Sequence, residues 1–410
     1  MRRIVENVLF FFLLVFFLAA PSSVAYSEIA LAAVVLLWFV RLALRRGEPR
    51  ARMPRRSILV AAAACWAIAS VLSVLFAREP AASAWKLLKL LPIGLVFLLP
   101  EILRTPARLR HAAGALLVGG FMTSAYGIIY YLNDPSTRLG GFIGFYMTTA
   151  GVLLQIGLLG TAILFTRGIG GRLAWIARIA LPVLLAALVL TDTRGAWIGL
   201  FAGLFTLLLF AGRRLAAVPV LLAIFFVAVP GKPRETALSS FDLRHPRNRE
   251  RLFMWKAGLA ILRDHVWTGV GLAGMERVYE EYRDPRSDER PPHLHSVPIH
   301  ILASMGILGF AAWLFLVGAF LAWMVRALPV AKRGPPIARA LLFGALAVWI
   351  GFLVNGLFEW NLGDVEVVTL LWAVVALGVS SVAAVHGSVA GGKEEGADSP
   401  RGIGPSYRGV

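Results

Sequence analysis

Apolar runs of about 15–25 residues recur along the whole chain, separated by short polar stretches. Each run is long enough to cross a hydrocarbon core of roughly 30 Å as a helix. The pattern predicts spans near residues 7–20, 27–44, 57–77, 84–100, 111–132, 143–165, 173–190, 196–211, 215–230, 296–325, 337–357 and 366–386. The fold class expected is therefore an all-α integral membrane protein with about 12 transmembrane helices. The first run follows Met1-Arg2-Arg3, lacks a convincing small-x-small cleavage site and is followed at once by another. It is expected to be a retained first helix and not a signal peptide.

Most connections are short. The exception spans residues 231–295, whose middle reads "RNRERLFMWKAGLAILRDH". Helical periodicity puts Leu252, Trp255, Leu259 and Leu262 on one face with Lys256 and Arg263 off it, the pattern of a helix lying at a membrane interface. A second helix, "AGMERVYEEYRD", is expected after the turn "TGVGLAG". Gly269, Gly271 and Gly274 there have GxGxxG spacing, but no strand precedes them and no βαβ unit surrounds them. A tight turn between helices is favoured over a dinucleotide fingerprint. Residues 391–410 are Gly- and charge-rich and without apolar periodicity, so a membrane domain over 1–390 and a disordered cytoplasmic tail are expected. No internal repeat is evident.

Composition agrees with this reading, at 58% hydrophobic and 16% charged residues. A net charge of +18 would ordinarily suggest nucleic acid. With the N-terminus in the cytoplasm, however, the inside segments hold 24 of the 41 Lys and Arg against six of the 23 Asp and Glu. The whole excess therefore lies inside, where basic residues orient membrane helices. The charge encodes orientation, with both termini cytoplasmic and the long loop outside, and gives no sign of a nucleic-acid partner. The single cysteine, Cys65, excludes a disulfide framework or a cysteine-based metal site within one chain.

Candidate chemistry gathers on the outer face. Arg194 in "TDTRGAW" sits at a tight turn between two apolar helices. It is either solvated or paired with Asp192, or it is an anion clamp, for which its planar fork is well suited. Arg251 heads the loop helix and is either part of a solvated basic run with Arg247 and Arg249 or a functional cation. Arg138 in "STRLGGFIGF" is followed by glycines whose amides could join its guanidinium around an anion. His293, His295 and His300 open the tenth run. They make no sound zinc site, because five residues on a helix turn two side chains roughly 140° apart. A histidine serving as general base fits better, since a reference pKa near 6.5 leaves it mostly neutral at neutral pH. Glu359, Asp364 and Glu366 in "NGLFEWNLGDVEV" are expected to pair with the arginines in preference to binding a divalent ion.

From about the fifth run to the twelfth, the chain resembles the O-antigen ligase family. "RLGGFIGFYMTTAG" resembles the family's arginine-glycine helix start, and "TDTRGAWIGL" its Thr-x-Ser-Arg-Gly turn, with Thr193 in place of the common serine. "RLFMWKAGLAILRDHVWTGVGLAGM" resembles the family's long-loop helix. The most specific piece is histidine, a small polar residue, nine residues, glycine, two residues and a further glycine, met by His295, Ser296, Gly306 and Gly309. "GLFEWNLGDVEV" resembles its acidic stretch before the last span.

The resemblance implies a C-type glycosyltransferase arrangement in the bacterial inner membrane, with the active site under the long periplasmic loop. It implies an undecaprenyl-diphosphate-linked glycan donor, a lipid A–core acceptor, and neither cofactor, nucleotide sugar nor required metal. His295 would be the catalytic base, with Arg194 and Arg251 holding the diphosphate. Arg138, His293, Glu359 and Asp364 would complete the substrate site. O-antigen polymerases and protein O-oligosaccharyltransferases share much of this pattern, so the acceptor stays open. A twelve-span transporter or flippase is a further alternative. It would need ionisable groups at mid-membrane, whereas Gln155 reads as an interhelical hydrogen bond and Lys86 and Lys89 as snorkelling near a helix end.

Overall fold

A computed structural model describes residues 1–44, 57–211, 235, 236, 242 and 245–395. The expected span at 215–230, the basic stretch 45–56, part of the long loop and residues 396–410 lie outside the described residues. In chain order the helices are α1 (Arg2–Ala19), α2 (Val24–Leu44), α3 (Ser57–Leu75), α4 (Pro80–Lys86), a 3₁₀ segment (Leu87–Gly94), α5 (Leu95–Ile102), α6 (Pro106–Asn133) and α7 (Tyr146–Phe165). They continue as α8 (Gly171–Leu190), α9 (Arg194–Ala211), α10 (Pro246–Asp264), α11 (Met275–Tyr282), α12 (Val297–Arg333), α13 (Pro336–Asn355) and α14 (Val365–Glu395). Among the described residues there is no strand.

Nine segments among the described residues are long and apolar enough to cross a membrane. The run expected at 196–211 forms the shorter apolar helix Arg194–Phe210. The first run forms α1, whose opening turns carry Arg2, Arg3 and Glu6. The chain is a multi-pass membrane protein.

The span expected at 84–100 is not one helix. Pro92 lacks the N–H that an interior helical position must donate, and the segment divides into α4, the 3₁₀ segment that holds Pro92, and α5. Lys89 is not merely snorkelling there, because its ammonium donates to the Gly363 carbonyl. Gln155 behaves as expected, its amide bridging α7 to the Val367 carbonyl of α14 at 2.9 Å.

The centre of the bundle is α7, α13 and α14, the most enclosed of the apolar helices. Lipid chains give helices little hydrophobic reason to associate, so close packing has to hold them. At the α9–α13 contact a Cβ on Gly199 would lie 2.5 Å from the Gly351 carbonyl oxygen.

Helix α12 is broken at Gly306, with φ 63° and ψ −164°. A break exposes backbone groups that must find partners in an apolar setting. The glycine turn supplies them. Val270 and Gly271 donate to the carbonyls of Ala303 and Ser304 at 3.1 and 2.9 Å, and Ile307 and Leu308 donate to Val266 and Trp267 at 2.8 and 3.2 Å. The GxGxxG segment is thus the tight turn expected from sequence, and it also plugs the kink of α12.

Helix α10 buries Met254, Ala257 and Ile261 against α11 and α12. Leu252 and Leu259, on the stripe expected to face a membrane interface, are exposed. The helix is therefore apolar on both sides, one facing protein and the other outward.

Candidate active site

The loop ends of five helices meet around a cavity of about 750 Å³ lined by Arg138, Tyr146, Asp192, Arg194, Arg247, Asn248, Arg251, His293, His295 and Glu359. These residues are distant in the chain and arrive from the α6–α7 loop, the α8–α9 turn, α10, the start of α12 and the α13–α14 turn.

Two local features aim His295. Its backbone is left-handed, at φ 45°, in the residue before the extended N-cap Ser296. Such a conformation is costly outside glycine and persists only where the surroundings fix it. The fixing contact is next door, where Val297 N–H donates to the Gly356 carbonyl at 2.7 Å and ties the start of α12 to the turn carrying Glu359. As a result His295 Nδ1 lies 3.0 Å from Glu359 Oε2. A carboxylate accepts, so Nδ1 carries the proton and the basic lone pair falls on Nε2.

Glu359 is buried and also accepts from Arg251 Nη2 at 2.6 Å through its other oxygen. Burial alone would push its carboxyl up. The bond from His295 and the charge of Arg251 outweigh that and hold it below its ordinary value. It stays ionised, linking the His295 imidazole and the Arg251 guanidinium in one unit. His293 stands edge-on to His295 with ring centroids 4.3 Å apart. Burial, reinforced by His295, pushes it down to about 4, so it is neutral at neutral pH.

Across the cavity Arg138 Nη2 lies 3.1 Å from Asp192 Oδ2 and its guanidinium stacks 4.5 Å over Tyr146. Asp192 thus has Arg138 as a partner. Arg194, at the first position of α9, donates to Asn248 Oδ1 at 3.2 Å. The glycines after Arg138 do not join it around the cavity. The Gly140 carbonyl accepts from Gly144 N–H and Thr149 Oγ1, which folds that segment back on itself.

The acidic residues divide. Glu359 pairs with an arginine as expected. Asp364 does not, since it lines a neighbouring cavity and accepts from Thr148 Oγ1 at 3.0 Å. Burial pushes it up to about 6 despite that bond.

Arg247 is the cavity residue that sequence reasoning set aside as part of a solvated run. The signal was available, because it stands four residues before Arg251 and so shares its helical face. Among the described residues no group of three or more His, Cys, Asp or Glu side chains could hold a metal ion. The electrostatics are those of an anion site, with five arginines (Arg138, Arg194, Arg247, Arg251 and Arg290) set against three carboxylates (Asp192, Glu289 and Glu359).

Residues 179–314 match the family model described as O-antigen ligase. That segment, 136 of the 410 residues, is similar to the O-antigen ligase family. No curated protein matches the chain. The matched segment contains Arg194, Arg251, His293 and His295, whereas Arg138 and Glu359 lie outside it and join by geometry. That similarity supports glycosyl transfer of the ligase and polymerase kind in general.

Proposed function

We propose that this protein transfers a glycan from an undecaprenyl-diphosphate-linked donor to a sugar hydroxyl of lipid A–core at the periplasmic face of the inner membrane. The observation that carries the reading is the Arg251–Glu359–His295 unit facing Arg138 and Arg194 across one cavity. The positive-inside asymmetry of the sequence favours the periplasm for this end of the bundle.

His295 Nε2 takes the proton of the acceptor hydroxyl as that oxygen attacks the donor's anomeric carbon. The new glycosidic bond forms as the bond from that carbon to the diphosphate oxygen breaks. The diphosphate departs with the electron pair, and attack from the opposite side inverts the anomeric configuration. A diphosphate is a weak base, so charge stabilisation matters more for its departure than protonation does. Arg194 and Arg251 supply it, with Arg138 as a third cation. A guanidinium has five N–H donors, so Arg251 keeps several for phosphate oxygens after satisfying Glu359. Glu359 holds the Nδ1–H tautomer and balances the imidazolium that forms.

Mass analysis of a deletion strain tests the acceptor. Accumulation of uncapped lipid A–core is the expected result. Accumulation of lipid-linked single repeats would instead indicate a polymerase, and unmodified serine or threonine on a secreted protein a protein O-oligosaccharyltransferase.

A further inference from the structure

A second cavity, of about 740 Å³, adjoins the arginine cavity, and Pro292 and His293 line both. Its chemistry differs. The far part is apolar and aromatic, formed by Trp66, Trp313, Leu316, Trp349, Phe352 and Trp372. Trp349 lies six residues inside the end of α13, so this part reaches about 9 Å into the bundle. The near part is mixed. It holds Trp85, Lys86, Lys89, Trp360 and Asp364, beside a Glu79–Arg277 pair that neutralises itself at 2.8 Å. Trp85 and Lys86 are exposed. The Lys89 ammonium has two donors left after Gly363.

Aromatic faces set among single cations and carboxylates suit the alternating apolar faces and hydroxyls of a sugar ring, and the aromatic depth suits a hydrocarbon chain. Inversion adds a geometric requirement. The attacking hydroxyl must approach from the side of the anomeric carbon opposite the arginine-bound diphosphate. His293 lines both cavities and is packed edge-on to His295, which lines the arginine cavity, so a head group held beyond His293 comes to the base past that ring. We infer that this second cavity is the binding site of the lipid-anchored acceptor saccharide, its sugars against Trp85 and Trp360 and its chain among the deep tryptophans. The inference rests on the proposed transfer reaction.

The test uses the full chain in phosphatidylcholine nanodiscs and measures binding of two probes, lipid A–core and undecaprenyl diphosphate. The variants are Trp85→Ala and Lys86→Gln, both at exposed side chains. Each is expected to weaken lipid A–core binding about fivefold and to leave undecaprenyl diphosphate binding unchanged. Unchanged lipid A–core binding in both variants would overturn the assignment. So would a loss confined to undecaprenyl diphosphate, which would make the cavity the donor's. Failure of the functional reading shows in the wild type itself, as no binding of lipid A–core, or as transfer surviving in His295→Ala, whereas failure of the assignment shows as wild-type lipid A–core binding that neither variant weakens.

Discussion

Glu359→Gln is the most informative single change, because it keeps the shape of the side chain and removes one charge and one acceptor. The native carboxylate accepts twice, from Arg251 at 2.6 Å and from His295 Nδ1 at 3.0 Å. A glutamine amide has one accepting oxygen and one donating nitrogen, so it cannot serve both partners. With its oxygen toward Arg251, the amide N–H₂ faces Nδ1 and the proton must move to Nε2. The base is then blocked at the atom that takes the acceptor's proton. With the oxygen toward His295, Arg251 loses a charge-assisted bond worth about 1.5–3 kcal/mol, or roughly ten- to 150-fold in rate. The tautomer route costs more, up to about 10⁴-fold, as the same change does in serine-protease triads. We expect kcat to fall by about 10²–10⁴, with KM for the donor rising less than tenfold. Reconstituted transfer with separate kcat and KM measurements provides the assay. Glu359→Asp, which keeps the charge, should recover part of kcat. A Glu359→Gln enzyme with kcat within about twofold of wild type would refute the coupling of the two groups.

Three further outcomes follow from the geometry. Arg194→Lys keeps the charge but loses the fork, and should lower kcat/KM by about ten- to 100-fold in the same assay, whereas an unchanged value would make the arginine a helix anchor only. Gly306→Ala puts a Cβ 2.4 Å from the Trp267 carbonyl carbon at a positive φ, and should destabilise by about 3 kcal/mol or more in thermal unfolding. The matching control, Gly318→Ala, meets nothing within 4 Å in the same helix and should be neutral or slightly stabilising. His293 titrates near 4 folded against 6.5 in its ordinary state, so the unfolded chain binds its proton first as pH falls. Its contribution to stability is intact above 6.5 and is lost as pH drops toward 4, by at most about 3 kcal/mol. Thermal midpoints of wild type against His293→Gln across that window should converge with acid, and parallel curves would contradict the shift.

The sequence revealed what depends on position relative to the apolar runs. His295, Arg194 and Arg251 stand where long apolar segments begin or where the loop helix starts, and a consistent alternation of sides puts them at one end. What it hid depends on three-dimensional partners. Arg138 and Asp192 lie 54 positions apart, so nothing local announced their pairing. The same is true of the bond between His295 and Glu359, which assigns the basic nitrogen. Arg247 was obscured by two neighbouring arginines that supply an equally good surface explanation. The kink at Gly306 was invisible because a single glycine inside an apolar run does not interrupt its hydropathy. The left-handed Gly306 backbone and the docking of the Gly269–Gly271 turn show that the helix is broken there. Asp364 shows the opposite error, since closeness to Glu359 in sequence suggested one shared site and the turn at Trp360–Gly363 sends the two carboxylates into different cavities.

Transfer by His295→Ala protein, purified, reconstituted and supplied with undecaprenyl-diphosphate-linked glycan and lipid A–core, bears most directly on whether this imidazole is the base. The mechanism predicts no detectable glycosylated product, with donor binding held within about twofold because the arginines are untouched. Product formed at the wild-type rate would contradict it.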